Sequence, residues 1–454
     1  MKKITWKLIA CFMAVLLLCM PVLTGCDKPE DPETTEEETT AKDSDGLEFT
    51  SNGDGTCSVS GIGECTDTDV VIPKKSPEGD RVTSIGERAF YDCTGLTSIT
   101  IPDSVTSIEA YAFSKCSGLM SIVVEADNPA YHSDGNCLIE TQSKTLIAGC
   151  QNSTIPSDGS VTSIDELAFY DCTGLTSITI PDSVTSIGRG AFQCCTGLTS
   201  ITIPDSMTSI EDWVFNKCEG LTSITIPDSV TSIGRGAFQC CTSLTSITIP
   251  DSVTSIGGKA FSDCTGLTNI TIPDSVTSIG DDAFSYCTGL TSITIPDSVT
   301  SIGEKAFHYC KDLTRIKVSE GNSTYRSQGD CLVETESKTL IIGCQSSIIP
   351  DDGSVTSIGS SAFQNCTGLT SITIPDSVTS IGAYAFYGCK GLTSITIPDR
   401  VTSIGEEAFR CCTGLTDVHF SGTKRQWKNI AIKNNDPLPT ATIHCTDGDI
   451  TPAQ

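Results

Sequence analysis

Histidine is scarce in this chain, with 4 residues among 454. So few imidazoles exclude a Cys₂His₂ zinc array or a His-rich catalytic metal site on arithmetic alone. Basic charge is short as well. Lys and Arg total 28 against 56 Asp and Glu, a formal net charge of −28. A chain this acidic lacks the electrostatic footprint of a nucleic-acid binder. It also lacks the basic patches that dock proteins on anionic membranes. The apolar run from Leu8 to Met20 falls short of the roughly 20 residues that span a bilayer comfortably.

That run has another reading. Lys2, Lys3 and Lys7 precede it, giving the charged and apolar parts of a secretory signal, residues 1–25. It ends in Leu23-Thr24-Gly25-Cys26, which resembles the lipobox of bacterial lipoproteins. The resemblance implies cleavage before Cys26 and acylation of that residue. Stable anchoring takes more than one acyl chain. Residues 26–46 then form the lipidated start and an acidic tether, with Glu36-Glu37-Glu38 among Thr, Pro and Asp. This stretch has too little apolar surface to offset the entropy of ordering.

What the chain has in excess is cysteine, 25 residues, and an internal repeat. The unit reads IPDSVTSIGxxAFxxCTGLTSIT. Its proline recurs every 23 residues at Pro181, Pro204, Pro227, Pro250, Pro273 and Pro296. Its Ala-Phe-x-x-Cys marker recurs from Phe90 to Cys412, with two longer intervals of 56 residues, Phe113 to Phe169 and Phe307 to Phe363. Both long intervals carry matching insertions, near 123–155 and 317–349, that read as β-hairpins with polar turns. Within a unit, Ile178 and Ile180 alternate with polar residues, as in a half-buried strand. Pro181 ends that strand because it has no N–H for a ladder. Val184 and Ile187 begin the return path, and Phe192 starts a short helical or 3₁₀ turn with its ring inward. One such coil cannot bury its own apolar face, whereas stacked coils can. The expected architecture is therefore a solenoid: a curved stack of parallel strands with short strands and 3₁₀ turns on the convex side.

The motif Leu-x-x-Ile-x-Ile-Pro-x-x-Val-x-x-Ile-Gly-x-x-Ala-Phe-x-x-Cys resembles the BspA-like, or Treponema-type, leucine-rich repeat of bacterial surface proteins. The resemblance runs from about Leu47 to Cys445. Residues 47–81 read as an N-terminal cap, 82–418 as the array, and 419–454 as a C-terminal cap and tail. Caps are needed because each end of a solenoid exposes core. The resemblance implies a lipid-anchored protein on the extracellular face of a bacterial envelope. It further implies adhesion to proteins or glycans of host cells, extracellular matrix or other bacteria. A surface spacer without a ligand and a glycan-capture lipoprotein are the alternatives.

Several residue sets qualify as functional. Thr and Ser recur on the exposed side of each strand, giving a neutral hydroxyl face. Near the array centre it comprises Thr199, Ser200, Thr202, Thr222, Ser223, Thr225, Thr245, Ser246 and Thr248. Asp182, Asp205, Asp228 and their equivalents follow the marker proline and stack into an acidic edge, read as turn chemistry rather than a calcium site. The cysteine column reads as packing, since a free Cys behaves as a small hydrophobe. Cys137 with Cys150, Cys331 with Cys344, and Cys57 with Cys65 are candidate disulfides. No catalytic motif, metal site or cofactor site is expected, because no His recurs at repeat spacing to complete a triad. The chain reads as a binding protein rather than an enzyme.

Overall fold

The computed structural model describes residues 42–433, 438 and 441–451. The signal segment, Cys26 and the tether as far as residue 41 lie outside the described residues.

Each repeat is one coil, and hydrogen bonds join consecutive coils along three columns. The first column is the Leu-Thr-Ser-Ile-Thr-Ile strand. Ser177–Thr179 pairs in parallel with Ser200–Thr202, with Ser177 opposite Ser200 and Thr179 opposite Thr202. Through the array centre this column narrows to single bridges, Thr202 to Thr225, Thr225 to Thr248 and Thr248 to Thr271. The second column is the Ser-Ile pair of the return path. Ser209–Ile210, Ser232–Ile233, Ser255–Ile256, Ser278–Ile279 and Ser301–Ile302 form one parallel sheet.

The third column is the Ala-Phe-x-x-Cys segment. Its amides alternate in direction. Ala191, Gln193 and Cys195 donate back three residues, to Gly188, Gly190 and Phe192. Gly190, Phe192 and Cys194 donate instead to Asp212, Val214 and Asn216 of the next coil. These are tight turns with 3₁₀-type bonds that never propagate into a helix. The alternation requires two left-handed residues per coil, at the positions of Gly190 (φ 61) and Cys194 (φ 63). Non-glycine residues fill most of these sites, including Leu167 (φ 58), Trp213 (φ 62) and Tyr309 (φ 62).

The core is a set of stacked identical residues. Phe192, Phe215, Phe238, Phe261 and Phe284 are fully buried. Their rings stack nearly parallel, with centroids 5.4–5.8 Å apart. Ile178 and Ile201 close the core beneath the first column.

The two insertions are three-stranded meanders rather than single hairpins. Tyr131–Asp134, Cys137–Glu140 and Thr145–Ala148 pair antiparallel in sequence. Tyr325–Gln328, Cys331–Glu334 and Thr339–Ile342 repeat the pattern. Asn128 and Tyr131 tie the first meander to the preceding coil through their side chains. The Asn128 side-chain amide donates to Pro102 O and Val105 O, both at 2.9 Å. The Tyr131 hydroxyl accepts the Ile108 amide at 3.0 Å. Asn322 and Tyr325 do the same against Pro296, Val299 and Ile302. The last strand of each meander rejoins the second column, Thr145 opposite Ser163 and Thr339 opposite Ser357.

At the array's start, Glu48–Ser51 pairs antiparallel with Thr56–Gly61, which then pairs in parallel with Arg81–Ile85. At the other end, a short helix, Lys424–Lys428, carries a capping box between Thr423 and Gln426. Its buried Trp427 meets Phe420 edge-on at 5.2 Å.

Candidate binding surfaces

The repeated polar residues divide into those that tie coils together and those that face outward. Thr199 donates both its amide (2.9 Å) and its hydroxyl (3.1 Å) to Thr176 O of the preceding coil. Thr222 donates likewise to Thr199 O. Thr231, Thr254 and Thr277 form a second such column on the return path. Ser275 and Ser298 donate to Val253 O and Val276 O, each at 2.7 Å. In a parallel stack each carbonyl can accept twice, so these hydroxyls reinforce the ladder along much of the array. The sequence reading of these threonines as an exposed hydroxyl face did not include this ladder; the 23-residue recurrence was the signal that each meets its own copy.

All nine residues of the expected face are exposed. The register aligns them in columns. Ser200, Ser223 and Ser246 occupy one strand position, and Thr202, Thr225 and Thr248 another. Thr199 and Thr222 belong to the face but direct their hydroxyls to backbone. The Asp edge is likewise exposed at Asp205, Asp228 and Asp251. Among the described residues no group of three or more His, Cys, Asp or Glu side chains is placed to hold a metal ion.

Most of the cysteine column is buried, with thiols that donate to backbone carbonyls. Cys218, Cys241, Cys264 and Cys287 donate to the Phe carbonyl of an earlier coil at 3.1–3.2 Å. Burial pushes the Cys116, Cys287 and Cys366 thiols up to about 12. These sulfurs stay protonated at neutral pH, so they are poor nucleophiles and poor metal ligands. Cys194 and Cys240 lie outside the column and are half-buried, and Cys411 is exposed.

The meander cysteines Cys137, Cys150, Cys331 and Cys344 are free thiols, as are Cys57 and Cys65. The two members of each meander pair face different parts of the core. Cys137 packs with Ile139 and Leu146 in the central cluster, and Cys150 packs with Leu138 and Ala148 in the N-terminal one. Cys331 faces the C-terminal cluster and Cys344 the central one. The two thiols of each meander pair thus pack into different core clusters, with no bond between the sulfurs.

The turn face holds the features that sequence reasoning did not find. Arg88 lies over Tyr91 and Tyr111, at 5.8 and 5.6 Å from the ring centroids. Lys115 lies over Tyr91 and Tyr170, at 5.0 and 5.9 Å, and Arg235 over Trp213 at 5.8 Å. A groove of about 560 Å³ is lined by Arg88, Tyr91, Tyr111, Tyr170 and Trp213, with Arg189 and Lys217. It gathers basic and aromatic side chains in an otherwise acidic chain. The only signal in the sequence was that the residues flanking Ala-Phe vary from coil to coil.

The family described as "BspA type Leucine rich repeat region (6 copies)" matches residues 65–135, 140–266, 231–352 and 343–452. Among solved structures, a leucine-rich repeat protein from Bacteroides ovatus is 30% identical, with a TM-score of 0.55 over 89% of this chain and 99% of that one. A leucine rich cell surface protein from Faecalibacterium prausnitzii is also 30% identical, with a TM-score of 0.52 over 86% of this chain and 98% of that one. No curated protein matches the chain. With the repeat signature, the stacked coils and these matches in agreement, the chain belongs to the BspA-type leucine-rich repeat family.

Proposed function

We propose that this protein is a lipid-anchored surface adhesin that binds protein partners through the hydroxyl face of its array. The observation that carries this reading is the alignment of exposed, uncharged Ser and Thr side chains into columns along the stack. Such a face offers many equivalent weak contacts, and repetition raises apparent affinity without a new kind of contact. The lipobox at Cys26 supports anchoring, and the F. prausnitzii relative described as a cell surface protein supports the location.

A second reading is favoured by the turn-face groove. Tyr, Trp and Arg dominate the energetics of protein interfaces, and the Arg88–Tyr111–Trp213 region concentrates them. A partner bound there would be acidic, and its binding would weaken with salt.

The test is binding of residues 27–454 to immobilised matrix proteins and glycans at two salt concentrations. One control lacks two central repeats, and a second carries Arg88→Ala with Lys115→Ala. Salt-insensitive binding lost in the deletion is expected for the hydroxyl face. Salt-sensitive binding lost in the double variant moves the site to the turn face. Binding by neither route sinks the adhesin reading and leaves the spacer.

A further inference from the structure

Each meander lacks an Ala-Phe-x-x-Cys turn, so it leaves a notch in the turn face between its neighbouring coils. Glycine takes the place of phenylalanine there. Gly343 donates its amide to Ala362 O at 2.8 Å, as Phe363 does to Ala385 O one coil later. Without a ring at that place, the apolar walls come within reach of solvent. Ile302 and Cys310 line the second notch and are only partly buried. In regular coils the same two positions, Ile279 and Cys287 or Ile256 and Cys264, are buried. Ile341 and Ile342 of the meander complete the apolar wall and are likewise partly exposed.

The two meanders are copies, so their notches can be compared position by position. The first measures about 230 Å³ and the second about 330 Å³. Leu167 lines the first, and Ser361 stands in its place in the second. Their backbones agree, with φ 58 and φ 59, so the side chain alone makes the difference. Across the first notch the Lys115 amide donates to Tyr170 O at 3.3 Å, which draws the flanking turns together. Tyr309 and Gln364 hold those positions at the second, and no such backbone bond joins them.

The rims differ in charge. Glu109, Asp165 and Glu166 line the first notch, and no Lys or Arg does. Gly303, Gly359 and Ser360 take those three places at the second. Its charged lining residues are Lys305 and Lys311, with Glu304 the one carboxylate. Both lysines are exposed, and neither has a carboxylate within 4.0 Å among the described residues. The Lys311 ammonium instead lies 5.3 Å from the centroid of the Tyr309 ring, beside the notch. In a chain of net charge −28, two uncommitted cations at the mouth of an apolar cavity select for an anion with an apolar body.

We propose that the second notch binds a medium-chain fatty acid as its carboxylate. The alkyl chain lies against Ile302, Ile341 and Ile342, where leaving water drives its entry. The carboxylate stays at the mouth with the Lys305 and Lys311 ammonium groups, whose flexible stems suit a solvent-facing anion. A cavity of this size is at the small end of ligand pockets, roughly 300–1,000 Å³, which favours a short chain over a long one. The first notch, narrowed by Leu167 and rimmed by carboxylates, repels the same ligand. This site is separate from the hydroxyl face and does not depend on that face binding anything.

The experiment is a ligand-observed NMR titration of the full-length chain with octanoate, against octanol and acetate. Octanol keeps the chain without the charge, and acetate keeps the charge without the chain. Ser361→Leu installs the side chain that the first notch already carries at the same backbone angle. Lys305→Gln with Lys311→Gln removes both charges and keeps the side-chain length. Saturable octanoate binding is expected, roughly tenfold tighter than that of octanol, with none for acetate. Ser361→Leu should abolish it, and the double glutamine variant should bring octanoate down to the level of octanol. If Ser361→Leu does not fold, the glutamine variant carries the test. No saturable octanoate binding, equal affinity for octanol, or unchanged affinity in either folded variant overturns the proposal.

Discussion

Glycine shows how closely the coils approach one another. At Gly188, Gly234, Gly257, Gly280, Gly303, Gly382 and Gly405 a Cβ would lie 2.3–2.7 Å from backbone of the preceding coil. Where a side chain holds the same position, the column breaks at Glu211, with Ser186–Ile187 unpaired with Ser209–Ile210, but continues at Glu109 and Asp165. Gly257→Ala places its methyl 2.7 Å from the Gly234 carbonyl carbon, in the continuous part of the column. Overpacking of this kind costs about 1–3 kcal/mol, read as a lower urea midpoint. An unchanged midpoint would mean that the coils can spread apart locally. The repeat was legible from the sequence at these positions, but the closeness of the coils was not. Glycine in a repeat is equally compatible with a turn that needs a positive φ, and Gly257 has none.

At the scale of elements, the strands at the C-terminal end should gain stability as pH falls through neutrality. His444 lies 2.9 Å from Asp417 and 3.0 Å from Asp449, and its ring stacks on His419 at 5.0 Å. Hydrogen bonds to the two carboxylates, Asp417 first, raise the His444 imidazole above its ordinary range. A raised imidazole binds its proton more tightly in the folded state, so the contribution is complete below the unfolded value. It is lost as pH rises through the folded value. Amides of Thr442–Cys445 should therefore exchange more slowly, after correction for intrinsic rates, at pH 5.5 than at pH 8.5. His444→Gln should abolish that difference. The sequence reads residues 419–454 as a cap by resemblance alone. The ion pair was not legible there, because Asp417 and His444 meet only when Asp417–Phe420 and Thr442–Cys445 pair in register.

At the scale of the whole array, contacts run from each coil to its immediate neighbours, so length is a free variable while phase is not. Removal of residues 204–249, two repeats, rejoins Ile203 to Pro250 in register. That variant should unfold cooperatively, with a melting midpoint within about 5 °C of the parent. Removal of residues 204–243 instead puts Leu244 after Ile203 and misaligns all three columns. It should show a split transition or fail to fold, as followed by circular dichroism. Equal behaviour of the two deletions would contradict the three-column ladder.

The sequence by itself determined the coil. A 23-residue period, an inward Ile, Val, Phe and Cys in each copy, and a proline that ends each strand leave a solenoid as the way to bury those residues together. Exposure of the Ser and Thr positions followed from the same alternation. The three-dimensional stack decided everything that depends on one coil meeting another. It directed Thr199 and Thr222 hydroxyls into the backbone ladder, and set the members of each meander cysteine pair in different core clusters. It also brought Arg88, Tyr111 and Trp213 to one groove. A repeat pattern fixes what a residue does within its own coil. Contacts between coils depend on register and on the positions where the pattern is broken, and those become visible only once the coils are stacked.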